Sequence, residues 1–254
     1  MMPAQSDDSC YDLANLQRRS MAPRYAIYFA PATLTPLQVF GARILGYDSA
    51  TGRSVPYYPF LVDQVANWPL LARDPARYGF HATFKAPFEL APLRTEAELL
   101  CEIERAALHW DSIDLGALAV GKISDFIALL PRQTPSGLCE LAQALVEQFD
   151  CFRAPMSDAD RARRRPDRLS SRQRAYLEQW GYPFVLDEFR FHMTLAGPIE
   201  PQQIDFVREK LERLFRTEVA DWDAPLTIDA MSVFKQPRRD GRFHILARHK
   251  FAGS

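Results

Sequence analysis

The sequence predicts an α+β fold: a duplicated α/β unit whose two lobes are related by a pseudo-two-fold axis. Three observations carry this. The segment from Tyr78 to Glu89 returns, 111 positions on, as Phe189 to Glu200, and Phe, His, Thr, Pro and Glu coincide without a gap. Each copy is followed by a helical pattern and then by a strand bearing Val-x-Lys. These are Val120-Gly121-Lys122 and Val233-Phe234-Lys235, whose lysines lie 41 and 43 residues beyond their histidines. Before each copy a strand leads into a helix, 24–30 into 35–46 and 125–130 into 136–149.

The elements follow from local chemistry. Residues 24–30 (RYAIYFA) are aromatic and β-branched and read as a strand ended by Pro31. Thr35-Pro36 opens a helix with Thr35 as N-cap, and Gly46 lies near its end. The Pro-, Tyr- and Trp-rich stretch 52–75 is assigned one short helix, about 60–67. Residues 79–90 read as a strand up to Pro87. Thr95 and Glu98 form a capping box for a helix over 96–110. Strands are expected at 113–123 and 125–130, then an amphipathic helix over 136–149. The irregular stretch 151–187 contains the basic run Arg161-Ala162-Arg163-Arg164-Arg165 and a helix over 171–180. A strand at 189–196 precedes a helix over 204–215, with Phe206, Val207, Leu211, Leu214 and Phe215 expected inward. The last strands, 226–234 and 242–249, are joined by the turn Arg238-Arg239-Asp240-Gly241. Residues 1–23 read as a flexible tail. Residues 24–254 read as a single bilobal domain with repeats over about 24–124 and 125–254 and a basic insertion over 151–187.

Composition narrows the function classes. The chain has 254 residues, 47% of them hydrophobic, so a sizeable core is expected. A net charge of -1 argues against a general nucleic-acid coat. The four cysteines, Cys10, Cys101, Cys139 and Cys151, show neither disulfide-framework nor zinc-ribbon spacing. They are read as reduced packing residues of a cytoplasmic protein. No apolar run approaches the roughly 20 residues that span a bilayer, and no membrane partner is expected.

The repeated segments carry chemistry. In a strand, residues i and i+2 share a face, so His81 projects with Thr83 and His192 with Thr194. If pseudo-symmetry faces the two strands across a cleft, two imidazoles and two hydroxyls converge. Two histidines flanking a phosphorus suit in-line displacement: one takes the proton of the attacking water, the other protonates the departing oxygen. An unperturbed pKa of about 6.5 lets both protonation states exist near neutrality. The threonine hydroxyls can donate to the non-bridging oxygens. A single His-x-Thr would more readily be a buried histidine beside a β-branched residue; the matched pair favours a site. No metal or other cofactor is expected. A zinc site of His81, His192 and His244 is the disfavoured alternative, since no carboxylate partner or i, i+4 pair accompanies them.

The two His-x-Thr motifs, their spacing and the duplicated element order resemble the 2H phosphoesterase superfamily, which includes RNA 2′,3′-cyclic phosphodiesterases and 2′-5′ RNA ligase-like proteins. The stretches Asp74 to Phe88 and Trp180 to Pro198 look like one bacterial branch associated with phosphonate breakdown. The resemblance runs from about Arg24 to the C-terminus. It implies mostly antiparallel sheets facing a central cleft that holds the site. For the branch it implies a substrate such as phosphoribosyl cyclic phosphate, an intermediate of the carbon–phosphorus lyase pathway. Lys85 after the first motif is matched by Ala196 after the second, so the half-sites are not equivalent, and acid and base stay unassigned.

Further residues are candidates for substrate binding. Lys85, at i+4 from His81, is expected on the same face, against the competing reading of a solvated strand-end lysine. Lys122 and Lys235 occupy matching places in the repeat. Arg190 precedes His192 by two and shares its face. Tyr28 is a candidate for lining the cleft, although core packing suits it better. The 161–165 run reads either as a mobile flap closing on a second phosphate or as a solvated helix face. His109 and His249 are read as structural, and His244 is held open. Three functions follow: a phosphodiesterase acting on a small cyclic ribose phosphate, an RNA 2′,3′-cyclic phosphate end-processing enzyme, and a non-catalytic nucleotide or RNA-end binder. Near-neutral charge favours the small substrate, and two proton-transfer groups argue against a pure binder.

Overall fold

The computed structural model describes residues 22–221 and 223–253. The tail expected over 1–23, and Cys10 with it, lies outside these residues save for the last two positions.

Strand β1 (Arg24–Phe29) runs into helix α1 (Pro36–Leu45). The Thr35 side chain accepts from the Gln38 amide at its start, and Gly46 closes it in the left-handed conformation with φ 65°. A small hairpin, β2 (Tyr47–Asp48) and β3 (Arg53–Ser54), precedes helices α2 (Pro59–Gln64) and α3 (Trp68–Ala76). One helix was expected in this stretch and two are present. Pro75 argues against the second by composition, yet it falls in the last turn of α3, where little helix remains to disrupt. β4 (Ala82–Glu89) follows, then α4 (Glu96–Ala107) with both arms of the Thr95–Glu98 capping box formed. The strand expected over 113–123 is broken into β5 (Ile113–Asp114) and β6 (Leu118–Ile123) around Gly116, whose φ is 72°.

The second half repeats the order: β7 (Phe126–Pro131), α5 (Ser136–Gln148), a short α6 (Asp158–Arg163), α7 (Ser171–Trp180), β8 (Met193–Ala196) and α8 (Ile204–Glu218). β9 (Thr227–Ile228), β10 (Ala230–Gln236) and β11 (His244–Lys250) end it. In α8, Val207, Leu211, Leu214 and Phe215 are buried as the pattern requires. Phe206 is not: it lies off the 204-207-211-214 stripe, exposed, with Lys210 beside its ring.

Two antiparallel sheets organise the molecule, in the orders β11-β10-β1-β4 and β6-β7-β8. Neither sheet belongs to one sequence repeat. β10, from the second half, pairs with β1, while β6, from the first half, pairs with β7. The halves therefore exchange their Val-x-Lys strands, and helices do likewise: α5 packs on β4 and α1 on β8. One continuous apolar cluster runs through both sheets, from Ile27, Phe84 and Val233 to Ile127, Met193 and Leu195. A smaller cluster of Ala26, Tyr28, Ala30, Phe234 and Phe243 covers the other face of the first sheet. Among the described residues, no helix is long and apolar enough to cross a membrane.

Both motif strands are sheet edges, and both carry the same irregularity. On β4, Thr83 pairs with Tyr28, but the next β1 residue, Ile27, pairs with Lys85. On β8, Thr194 pairs with Ala128, and Ile127 pairs with Ala196. In each case two residues oppose one, a β-bulge at equivalent positions of the repeat. The duplication thus extends to the fine register of the backbone.

Candidate active site

His81 and His192 each sit immediately before their strands, and both line one cleft of about 770 Å³ together with Thr83 and Thr194. The sequence expectation that the motifs converge is met by this geometry. The two imidazoles are held alike. His81 Nδ1 is 2.8 Å from the Gly79 carbonyl oxygen, and His192 Nδ1 is 2.8 Å from the Arg190 carbonyl oxygen. A carbonyl only accepts, so Nδ1 carries the proton in both rings, and in the neutral tautomer Nε2 is left with its lone pair. Gly79 reaches its position with φ 78°, a conformation natural to glycine.

The surroundings differ between the halves. His81 lies against the ring of Tyr28, with centroids 3.9 Å apart and planes inclined by 26°. The residue in the corresponding register position beside Thr194 is Ala128, and the aromatic neighbour of His192 is Phe126, tilted at 5.6 Å. Burial pushes the His81 pKa down to about 4; the Gly79 bond opposes this and the nearby His192 adds to it. Burial also lowers His192, against the Arg190 bond. Both rings are therefore neutral near pH 7.

Tyr28 is buried beneath His81 rather than lining the cleft. Arg190 lines the cleft as expected. Lys85 does not. The bulge puts it opposite Ile27, on the core face, where it is 3% exposed. Its Nζ donates to the Val146 carbonyl at 2.9 Å and meets Asp150 at 3.3 Å, at the end of α5. Strand alternation fails there because one extra residue inverts the faces. Lys235 is also a correction: it pairs across the sheet with Tyr25 and forms an ion pair with Glu96 of α4, on the helix-covered face. Lys122 is exposed on β6 and is not among the cleft residues, although its neighbour Ile123 is.

The basic run divides. Arg161 pairs with Glu178 and Arg163 with Asp160. The Arg164 guanidinium lies 4.9 Å from the Tyr182 ring centroid, and Arg165 lines the cleft. His244 lies opposite Lys235, on the Glu96 side of the sheet, so the three-histidine zinc arrangement does not form. Among the described residues, no group of three or more His, Cys, Asp or Glu side chains could hold a metal ion. Sequence reasoning missed Tyr182, Phe184 and Gln173, which form part of the cleft wall. Tyr182 and Phe184 come from the irregular segment, where no periodicity assigns faces, and Gln173 lies on α7, where Leu177 alone is buried.

Residues 83–244 match the sequence model of a family described as a protein of unknown function, DUF1045. The chain belongs to this family. It is 33% identical over 241 residues to the ribose 1,5-bisphosphate phosphokinase PhnN of Janthinobacterium sp. (strain Marseille), covering 91% of this chain and 51% of that protein. A PhnN of the same description from Laribacter hongkongensis (strain HLHK9) is 28% identical over 230 residues, covering 87% and 50%. The chain spans about half the length of these curated relatives. Among solved structures it is similar to a phosphoesterase (16% identity, 91% and 98% covered, TM-score 0.42). It is also similar to E. coli LigT complexed with 3′-AMP (15% identity, 91% and 98% covered, TM-score 0.40).

Proposed function

We propose that this chain is a phosphodiesterase that opens the cyclic phosphodiester of a small ribose phosphate, such as phosphoribosyl cyclic phosphate, in phosphonate catabolism, without a metal. The observation that carries the proposal is the pair of Nδ1-anchored imidazoles bounding one cleft beside Thr83 and Thr194. Attack of water forms a new P–O bond and breaks the bond to one ring oxygen. One Nε2 takes the water proton, and the other, protonated, gives its proton to the departing ribose oxygen. The two threonine hydroxyls donate to the non-bridging oxygens as charge builds. Both imidazoles start neutral, so the anionic substrate itself must draw in the proton that arms the acid. After turnover the protonation states are exchanged, and solvent resets them.

The relatives supply support for the substrate. Their name describes an enzyme acting on ribose 1,5-bisphosphate. Opening a 1,2-cyclic phosphate of ribose 5-phosphate at the O2 side yields that compound. The stretch Gly116 to Lys122 has the glycine and lysine spacing of a kinase phosphate loop, but Ile123 stands where a hydroxyl residue is needed, and the segment forms β6. A cyclic-phosphate-opening unit joined to a kinase that consumes its product accounts for a relative twice as long.

A second reading, RNA 2′,3′-cyclic phosphate end processing, is favoured by the size of the cleft and its aromatic wall of Tyr78, Tyr182 and Phe184. One assay separates them. The protein, with EDTA, is offered phosphoribosyl 1,2-cyclic phosphate, nucleoside 2′,3′-cyclic phosphates and a cyclic-ended oligoribonucleotide. Turnover of the first with no metal, and a loss on the order of 10²-fold or more in each of His81→Ala and His192→Ala, is the expected result. Unchanged rates in both variants would overturn the site, preference for the oligoribonucleotide would select the second reading, and loss on chelation would restore metal chemistry.

A further inference from the structure

Among the five residues of the 161–165 run, three arginines are already engaged and one is not. Arg161 and Arg163 are in ion pairs and Arg164 stacks on Tyr182, whereas Arg165 has no carboxylate partner among the described residues and lines the cleft. Its backbone is left-handed, φ 47° and ψ 63°, two residues past the end of α6 and just before a 3-10 turn. A side-chain-bearing residue pays on the order of 1 kcal/mol for that conformation. Arg190, which lines the same cleft, likewise has no carboxylate partner among the described residues, and its carbonyl anchors His192. Carboxylates do line the cleft, but Asp74 faces Arg73 and Glu188 accepts from Gln173. Asp125 is exposed at the cleft edge.

From these placements we infer that Arg165 and Arg190 form a second anion subsite, which holds a phosphate monoester of the substrate remote from the phosphodiester that the histidines open. The inference rests on the proposed reaction and adds to it: the substrate carries negative charge in two places, a monoanionic cyclic diester and a monoester of up to two charges, and the enzyme selects a phosphorylated sugar over its unphosphorylated form. Two unpaired guanidiniums in a partly enclosed cleft suit a monoester with three terminal oxygens, which accepts bidentate bonds from each. The clamp Arg239 to Asp160 and Glu89 ties α6 to the first sheet and fixes where Arg165 emerges.

The test is a comparison of two substrates in three proteins. Phosphoribosyl 1,2-cyclic phosphate and ribose 1,2-cyclic phosphate, which lacks the 5-phosphate, are assayed with wild type, Arg165→Ala and Arg190→Ala. Each variant is expected to lose roughly 10- to 100-fold in kcat/KM on the phosphorylated compound, as for a lost charge-assisted bond. On the other compound each is expected to lose clearly less, so that the preference for the phosphorylated substrate falls by about 10-fold or more. Equal losses on both compounds, or none on either, would overturn the subsite while leaving the phosphodiesterase standing. If wild type opens neither compound, the parent reading falls and takes the subsite with it.

Discussion

The imidazole of His81 rests on the phenol ring of Tyr28, 3.9 Å between centroids, while the corresponding register position beside the second motif holds Ala128. A large aromatic on one side and a methyl on the other break the symmetry of an otherwise duplicated site. Tyr28 covers one face of His81, and burial of the ring as a whole pushes its pKa to about 4. Replacing Tyr28 by alanine is expected to admit water and return the His81 pKa toward 6.5, with His192 little changed. Titration of the two imidazoles by NMR checks it; a His81 pKa that stays near 4 would show that the ring is not the cause.

The same burial couples His81 to folding. The ordinary pKa is about 6.5 and the folded value about 4, so between those limits the unfolded chain holds more protons. Stability therefore rises with pH across that window and is lost as pH falls through it. The full difference is on the order of 3 kcal/mol. Urea denaturation at pH 4.5 and pH 7 is expected to show a smaller pH dependence in His81→Gln than in wild type.

Much of this arrangement was legible in the sequence, because its signals are local. Thr35, Thr95 and Gly46 cap the helices that the sequence assigns to them, and the repeat marks His81 and His192 as a pair, which line one cleft. What was not legible depends on pairing. Nothing local in Phe84-Lys85 marks a bulge; only the register against Ile27 does, and it sends Lys85 into the core. The exchange of β6 and β10 between sheets is likewise a matter of long-range pairing, which is why Lys122 and Lys235 occupy matching places in the repeat yet neither lines the cleft. The direction of Arg165 depends on a left-handed residue within an irregular segment, where no period assigns a face.

Lys85 therefore has a different expected phenotype from a substrate lysine. Burial lowers its pKa to about 8, against the pull of Asp150. The unfolded chain holds more protons between about 8 and 10.5, so the lysine's cost in the folded state is felt below that range and fades as pH rises through it. Lys85→Met keeps the volume and removes the buried charge, and Asp150 retains Arg153 at 2.8 Å. The variant is expected to fold with stability within about 1 kcal/mol of wild type at pH 7, and to keep kcat/KM. A loss of 100-fold or more in a folded Lys85→Met protein would return this residue to the site.

The threonines are expected to act in the transition state more than in binding. Each lies two residues after its histidine, in the cleft, with its strand position set by pairing to Tyr28 or Ala128. Thr83→Val and Thr194→Val preserve shape and β-branching while removing one donor each. Loss of a donor that strengthens as charge builds lowers kcat by roughly 10- to 100-fold with KM little changed. A rise in KM at constant kcat would instead make the hydroxyls ground-state binders.

Gly79 is the point at which one backbone atom supports the chemistry. Its φ of 78° turns the carbonyl to His81 Nδ1, and a Cβ added there would come 2.6 Å from Ser49 Cβ. Gly79→Ala combines left-handed strain with a close clash, and costs about 1 to 3 kcal/mol in stability. It also displaces the carbonyl that holds the imidazole, so kcat falls even in the fraction that stays folded. Relief of the clash distinguishes the two effects. In Ser49→Gly/Gly79→Ala the contact is gone and the strained φ remains, so part of the stability returns, with activity following the Nδ1 bond. Thermal melts of both variants alongside kcat, with the His81 Nδ1–H resonance followed by NMR, check this; a Gly79→Ala protein with wild-type kcat would show that the anchor does not position His81.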